Sequence, residues 1–208
     1  MVDDDRAPSP EEMLRVMEEQ NVATVRWLYA DSVLLYVPWG VAWLFGFTAL
    51  FLHYGLDGHS YAPITQMQGV GVLMAGQLVA GSFAAFGIVR MNRLVRGGTS
   101  MKGAMYGYAW FAGMLLMTVI ALRLSPLLPP EESGLLWAGS SLMVVAVLQM
   151  AGGAVWGNWP MFFVGAWVAG VNALGVLLGA GWHALLTAVL LGGGFIVAGL
   201  WLRLRRRK

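Results

Sequence analysis

The chain contains no cysteine, which excludes disulfide bonds, thiolate metal sites and cysteine nucleophiles. It also has little charge: 12% of its residues are Asp, Glu, Lys or Arg, whereas 58% are hydrophobic and the mean hydropathy is +0.66. This composition lies outside the usual range of soluble globular domains. The lipid bilayer is therefore the predicted solvent for most of the chain.

Charged residues are missing altogether from four long stretches of sequence. Each stretch reaches or exceeds the roughly 20 residues that cross a bilayer as a helix. The fourth is long enough for three crossings, and its only credible breaks are Gly157-Asn158-Trp159-Pro160 and Gly179-Ala180-Gly181. We therefore predict an all-α polytopic membrane bundle of six transmembrane helices. The predicted spans are residues 33–54, 69–89, 104–122, 134–156, 161–178 and 184–203.

Three regions follow from this division: a cytoplasmic segment over 1–32, a transmembrane domain over 33–203 and a basic tail over 204–208. The first region is polar and acidic, unlike the basic-then-apolar layout of a cleavable signal. In it, Ser9, Pro10 and Glu12 form an S-x-x-E capping box that predicts an amphipathic helix over residues 9–30. That helix is expected to lie on the membrane surface, or alternatively to dock a protein partner.

Lysine and arginine are distributed unequally between alternate loops. Only Arg123 falls on one side of the predicted membrane, and the other Lys and Arg residues fall on the opposite side. Because cytoplasmic loops retain basic residues, both termini are predicted to be cytoplasmic in a cell-membrane protein. Nucleic acid is not a predicted partner of these residues. Contacts with anionic inner-leaflet lipids are expected at Arg90, Arg93, Arg96, Arg205, Arg206 and Arg207.

The odd-numbered spans share the pattern Ala-Trp-x-x-Gly, which contains Trp43, Trp110 and Trp167. The three rings lie about 9–15 Å along their helices, deeper than an interfacial belt requires. We interpret them as candidate pathway or ligand residues. The pattern also predicts three repeated helical hairpins, although chance matches in a chain rich in Ala, Gly and Trp are the alternative. The hairpins would comprise residues 33–89, 104–156 and 161–203.

Ionisable side chains mark transport pathways and active sites in membrane proteins, yet no Asp or Glu lies inside a predicted span. This argues against a carboxylate proton relay and against an enzyme built on paired acids. Gln77, Gln149 and Asn172 are the polar candidates that remain, either as interhelical hydrogen bonders or as the lining of a polar path.

Small residues recur four apart within several spans. This spacing lets helices approach closely and predicts internal packing, or alternatively a face that forms a homo-oligomer. The repeats are Gly76-Ala80-Ala84, Gly165-Ala169-Ala173 and Gly194-Ala198.

The three histidines, His53, His59 and His183, all map to the predicted outer side of the membrane. Together with the acids of that side, their imidazoles are candidate ligands for Zn²⁺ or another divalent ion. The alternative is that each is an ordinary interfacial residue. No cofactor is predicted.

Three segments carry a resemblance to a known family: Tyr36-Val37-Pro38-Trp39-Gly40-Val41-Ala42-Trp43, Gly103 to Phe111, and Gln149 to Trp156. They resemble small six-span membrane proteins of actinobacteria, whose members are often labelled transporters. The resemblance implies a six-span fold over nearly the whole chain but supplies no mechanism and no functional residues. The three-hairpin layout is also similar to that of HdeD-type acid-resistance membrane proteins, as an analogy of architecture.

The sequence is compatible with two functions. The first is a small permease or channel-like transporter of a neutral or weakly charged solute, lined by the deep tryptophans. The second is a non-transporting membrane subunit that anchors or regulates a cytoplasmic partner such as an ABC-type ATPase. A membrane enzyme is disfavoured because no span places a nucleophile beside a base.

Overall fold

The computed structural model describes residues 9, 11–13, 32–56, 58–92 and 98–205. Within these ranges the chain is almost entirely helical and contains no β-strand. Six of the helices are long and apolar enough to cross a membrane, which confirms the predicted all-α, six-span architecture. Residues 10 and 14–30 of the predicted amphipathic helix lie outside the described part of the chain.

Helices α1 to α5 each form one continuous span. The sixth span, α6, covers residues 180–205 and has three parts: an α-helix at Ala180–Leu186, a π-helix at Thr187–Gly193 and an α-helix at Gly194–Arg205. It therefore ends two residues beyond the predicted limit of 203. The other spans are α1 at Ser32–Tyr54, α2 at Gln66–Asn92, α3 at Gly98–Leu124, α4 at Pro130–Trp156 and α5 at Trp159–Leu178.

The start of the N-terminal helix has the predicted capping box. The Ser9 backbone N–H donates to Glu12 Oε2 at 2.9 Å, and the Glu12 backbone N–H donates to Ser9 Oγ at 3.2 Å. These two bonds satisfy donors that have no partner within the helix. The S-x-x-E signal therefore identified the first turn of this helix correctly.

Both predicted breaks of the long charge-free stretch are present in the structure. Gly157 has φ +62° and Gly179 has φ +96°, backbone conformations that favour glycine, and each glycine ends a helix. After the first break, Asn158 caps α5, because its side chain accepts a hydrogen bond from the Met161 backbone N–H at 3.1 Å. These turns separate α4, α5 and α6.

The two helices of each predicted hairpin are in contact, α1 with α2, α3 with α4, and α5 with α6. The third hairpin lies in the middle, since α6 packs on α1 and α5 packs on α4. Helices α2 and α3 form no comparable interface with each other among the described residues, so each lies at the edge of the bundle. The α4–α5 and α1–α6 interfaces between hairpins are more extensive than the α3–α4 and α5–α6 interfaces within them, so the packing does not single out three hairpin units.

The buried core lies between α1, α4, α5 and α6. Its members are apolar and include the fully buried side chains of Val168 and Leu191. Backbone approaches backbone where α1 meets α6: a Cβ atom on Gly192 would lie 2.6 Å from the Leu44 nitrogen, and one on Gly40 would lie 2.7 Å from the Gly192 oxygen. Glycine at both positions therefore sets the separation of these helices.

The buried side of α6 follows a spacing of four residues: His183, Thr187, Leu191, Phe195 and Gly199. In an α-helix with 3.6 residues per turn, a spacing of four drifts by about 40° at each step. The π-helix has one more residue in each hydrogen-bonded turn and reduces this drift. The wider turn therefore keeps the five positions on one side of the span.

The small-residue repeats serve internal packing in two of three cases. Gly76 lies against Ala42 of α1, and Gly165 lies against the backbone of α4 at Ala146 and Met150. Gly194 and Ala198 differ, because they line a groove on the outside of the α5–α6 hairpin.

Candidate functional site

A polar cluster lies inside the bundle at the junction of α4, α5 and α6. Asn172 Nδ2 donates to the Gly139 carbonyl oxygen at 2.9 Å. The amide oxygen Oδ1 of Asn172 lies 2.9 Å from His183 Nε2. Because Oδ1 can only accept, Nε2 carries the proton and donates it to this bond. The cluster therefore links three helices through two side chains.

Glycines make room for this cluster. Gly139 leaves its carbonyl open to Asn172, and a Cβ atom there would lie 2.9 Å from Val176. A Cβ atom on Gly175 would lie 2.9 Å from both the Cα and the Cδ2 of His183. Asn172 and His183 are 7% and 2% exposed, so each depends on its partners within the protein.

Two further polar atoms of the interior have no hydrogen-bond partner among the described residues, Thr187 Oγ1 and Gln149 Oε1. Thr187 follows His183 by one turn and begins the π-helix, where its side chain is fully buried. Buried polar atoms of this kind are places where a water molecule or a small polar solute gains hydrogen bonds. Sequence reasoning did not select Thr187, although π-helical turns often mark functional positions.

The structure places the three candidate tryptophans in different surroundings. Trp43 is 4% exposed and packs on Phe195 of α6, with ring centroids 5.0 Å apart. Trp167 is 51% exposed, and its Nε1 donates to the Leu190 carbonyl oxygen at 3.4 Å. Trp110 is half-buried beside Tyr106 of its own helix, with ring centroids 6.2 Å apart. No ring contact joins any two of the three among the residues described.

The three histidines also have separate environments. His183 is buried inside the bundle, so it is not the interfacial residue that its position at the start of a span suggested. His53 Nδ1 lies 2.8 Å from the Ile64 carbonyl oxygen, and His59 is exposed in the loop after α1. Across the described ranges, no group of three His, Asp or Glu side chains could hold a metal ion. The metal-site hypothesis therefore gains no support from the geometry.

The remaining candidates are only partly defined. Asn172 forms interhelical hydrogen bonds, as one of its two predicted roles required, whereas Gln77 is half-buried on α2.

Of the basic residues predicted to contact lipid, Arg90 and Arg205 belong to the last turns of α2 and α6. Arg93, Arg96, Arg206 and Arg207 lie outside the described residues.

Comparison with known protein families, curated proteins and solved structures finds no match to this chain. The six apolar helices are those expected of an integral, multi-pass membrane protein. Any finer assignment depends on the chain's own residues.

Proposed function

We propose that this protein is a non-transporting membrane subunit that anchors or regulates a cytoplasmic partner, such as an ABC-type ATPase. The placement of Trp43, Trp110 and Trp167 supports this function over a permease. A path lined by these rings would need them to face one shared space, yet Trp43 is part of the core and Trp167 faces outward. The rings serve packing in the first case and contact lipid in the second.

The polar cluster gives further support, because it uses its hydrogen bonds within the protein. Asn172 forms one hydrogen bond through its amide nitrogen to α4 and one through its amide oxygen to α6. Hydrogen bonds between membrane helices hold a bundle together. Such a bundle suits an anchor, because an anchor does not need its helices to change their packing in order to function.

The docking elements would be the segments that the charge distribution assigns to the cytoplasm. The capped turn at Glu11, Glu12 and Met13 is exposed, and so is Lys102 near the start of α3. Acidic and basic groups are thus both available to a partner on this side.

Site-specific photocrosslinking tests the proposal. A photoreactive amino acid replaces Met13 in one variant and Met67 in a matched control, since both methionines are exposed but they lie on opposite predicted sides. We expect the Met13 variant to give a defined adduct with one cytoplasmic protein, and the complex to remain intact on a native gel. The proposal would be contradicted if the protein extracted from native membranes migrated without a partner on the native gel and the Met13 and Met67 variants gave equal crosslinking.

A second candidate, a small permease for a neutral solute, is favoured by the two unpartnered polar atoms at Thr187 and Gln149. A passing solute with hydrogen-bonding groups would satisfy both atoms in turn. Swelling of proteoliposomes in urea or glycerol separates the two functions. A flux that is lost in Thr187→Val and Gln149→Leu supports the permease, whereas no flux above that of empty liposomes supports the anchor.

A further inference from the structure

An apolar groove runs along the outer side of the α5–α6 hairpin. Its volume is about 690 Å³. Trp167 of α5 lies at one end and Trp201 of α6 at the other, and small residues of α6 form the floor between them. The lining residues are Trp167, Val189, Leu190, Gly193, Gly194, Val197, Ala198 and Trp201.

The groove exists because two consecutive glycines leave its floor without side chains. A Cβ atom on Gly193 would meet no atom within 4 Å, and one on Gly194 would meet only Nε1 of Trp167, at 3.8 Å. That indole nitrogen is already hydrogen-bonded to the Leu190 carbonyl oxygen. The Trp167 ring therefore lines the groove with its one polar group already used within the protein.

The length of the groove matches one leaflet of a bilayer. Leu190 and Trp201 are eleven positions apart, which corresponds to at most about 16 Å at the α-helical rise, since the first few of these residues belong to the π-helix. Half of a hydrocarbon core roughly 30 Å thick is about 15 Å. A single acyl chain that enters beside Trp201 would thus end near Trp167, at the middle of the membrane.

Basic residues follow the Trp201 end of the groove in the sequence. Arg205 follows Trp201 by four residues, one turn further along the same face of α6. Arg203 lies about 200° around the helix from Trp201 and so belongs to the opposite face. The sequence continues with Arg206, Arg207 and Lys208. An apolar channel that leads to cationic residues is complementary to a lipid with an anionic headgroup.

We propose that this groove binds one acyl chain of an anionic phospholipid, with the phosphate held at Arg205. An anionic lipid fits the groove because the groove is about as long as one leaflet and basic residues follow it in the sequence. The site does not depend on the function proposed above, since an anchor and a permease could both carry it.

Substitutions that fill the groove test whether it binds the acyl chain. Gly194→Leu places a side chain where only Trp167 is near, and Gly193→Leu is a second variant with the same aim. Gly107→Leu is the matched control, because Gly107 is an exposed glycine of α3 with open space around it. Native mass spectrometry of detergent-solubilised protein titrated with phosphatidylglycerol measures binding. We expect both groove variants to lose the bound lipid and the control to keep it.

Two single substitutions, one on each face of α6, test whether Arg205 binds the lipid phosphate. Arg205→Gln should weaken phosphatidylglycerol binding about fivefold, the effect of one cation near a lipid phosphate. Arg203→Gln removes the same charge at the same level from the opposite face and should leave binding unchanged. Melting temperatures without added lipid show whether each variant is folded.

Three results would overturn the site. Equal binding of phosphatidylcholine and phosphatidylglycerol by the wild type would show that the charge plays no part. Retained lipid in folded Gly194→Leu and Gly193→Leu would show that the groove is not the site. A wild-type dimer that Gly194→Leu converts to a monomer, with lipid binding unchanged, would assign the groove to a second copy of the chain.

Discussion

Asn172 of α5 and His183 of α6 are joined by a hydrogen bond of 2.9 Å within the bundle. Asn172 also donates to the Gly139 carbonyl oxygen, so this pair extends the connection to α4. Few polar side chains of the predicted spans are available for such a role. Their contact joins the two helices of the third hairpin near the turn that connects them.

Removal of one member of this pair should destabilise the bundle. Asn172→Leu leaves the His183 Nε2–H and the second acceptor site of Gly139 unpartnered, at a cost of about 1–2 kcal/mol in the free energy of unfolding. His183→Phe should have a similar effect alone. The double variant should lose less than the sum of the two, as measured by unfolding in detergent micelles. Strict additivity would show that the hydrogen bond contributes nothing.

The adjacent glycines of the π-helix should respond in opposite ways to alanine. Gly192→Ala brings a Cβ atom to 2.6 Å from the Leu44 backbone nitrogen, so α1 and α6 must separate, at a cost of about 1–3 kcal/mol. Gly193→Ala meets no neighbour and should stabilise the helix by about 0.5–1 kcal/mol. Thermal unfolding of the two variants measures the difference, and equal shifts would contradict the close approach of α1 and α6.

Thr187→Val tests the buried hydroxyl group at the start of the π-helix. The hydroxyl has no partner in the described part of the chain, so a valine of similar shape should raise the free energy of unfolding by about 1 kcal/mol. Thr48→Val, at an exposed position of α1, is the control and should change little. A clear loss of stability in Thr187→Val would instead show that a water molecule or solute is bound there.

The predicted orientation can be checked by labelling, because the native chain has no cysteine. His59→Cys and Lys102→Cys each create one exposed thiol, on opposite predicted sides of the membrane. An impermeant maleimide should label His59→Cys in intact cells and Lys102→Cys only after lysis. The reverse pattern would place both termini outside.

The six spans could be predicted because charge is absent from them and glycine marks the breaks between them. Their ends were less accurate for a reason visible in the sequence. Thr65 and Gln68 form a second capping box, in which the Thr65 N–H donates to Gln68 Oε1 at 2.9 Å. The helix therefore starts at Gln66, whereas hydropathy alone placed the start at residue 69.

The polar cluster could be predicted only in part. Asn172 was predicted either to form interhelical hydrogen bonds or to line a polar path, and the choice between them depends on how α5 and α6 meet. His183 was assigned to the outer surface because it begins a span, and its burial results from the space that Gly175 leaves for it. The π-helix was not predicted either, since a search for a period of 3.6 residues does not detect a stripe with a spacing of four.

The π-helix at Thr187–Gly193 also determines where the chain can lose a single residue without disrupting a span. A π-helical turn contains one residue more than the α-helical turn it replaces, so the segment stores a single surplus residue. Deletion of one residue there would return the span to an uninterrupted α-helix while the faces on either side keep their directions. The same deletion in α4 or α5 would rotate every later residue by about 100°. Single-residue gaps in natural relatives of this chain should therefore be tolerated at this segment and selected against in the other spans.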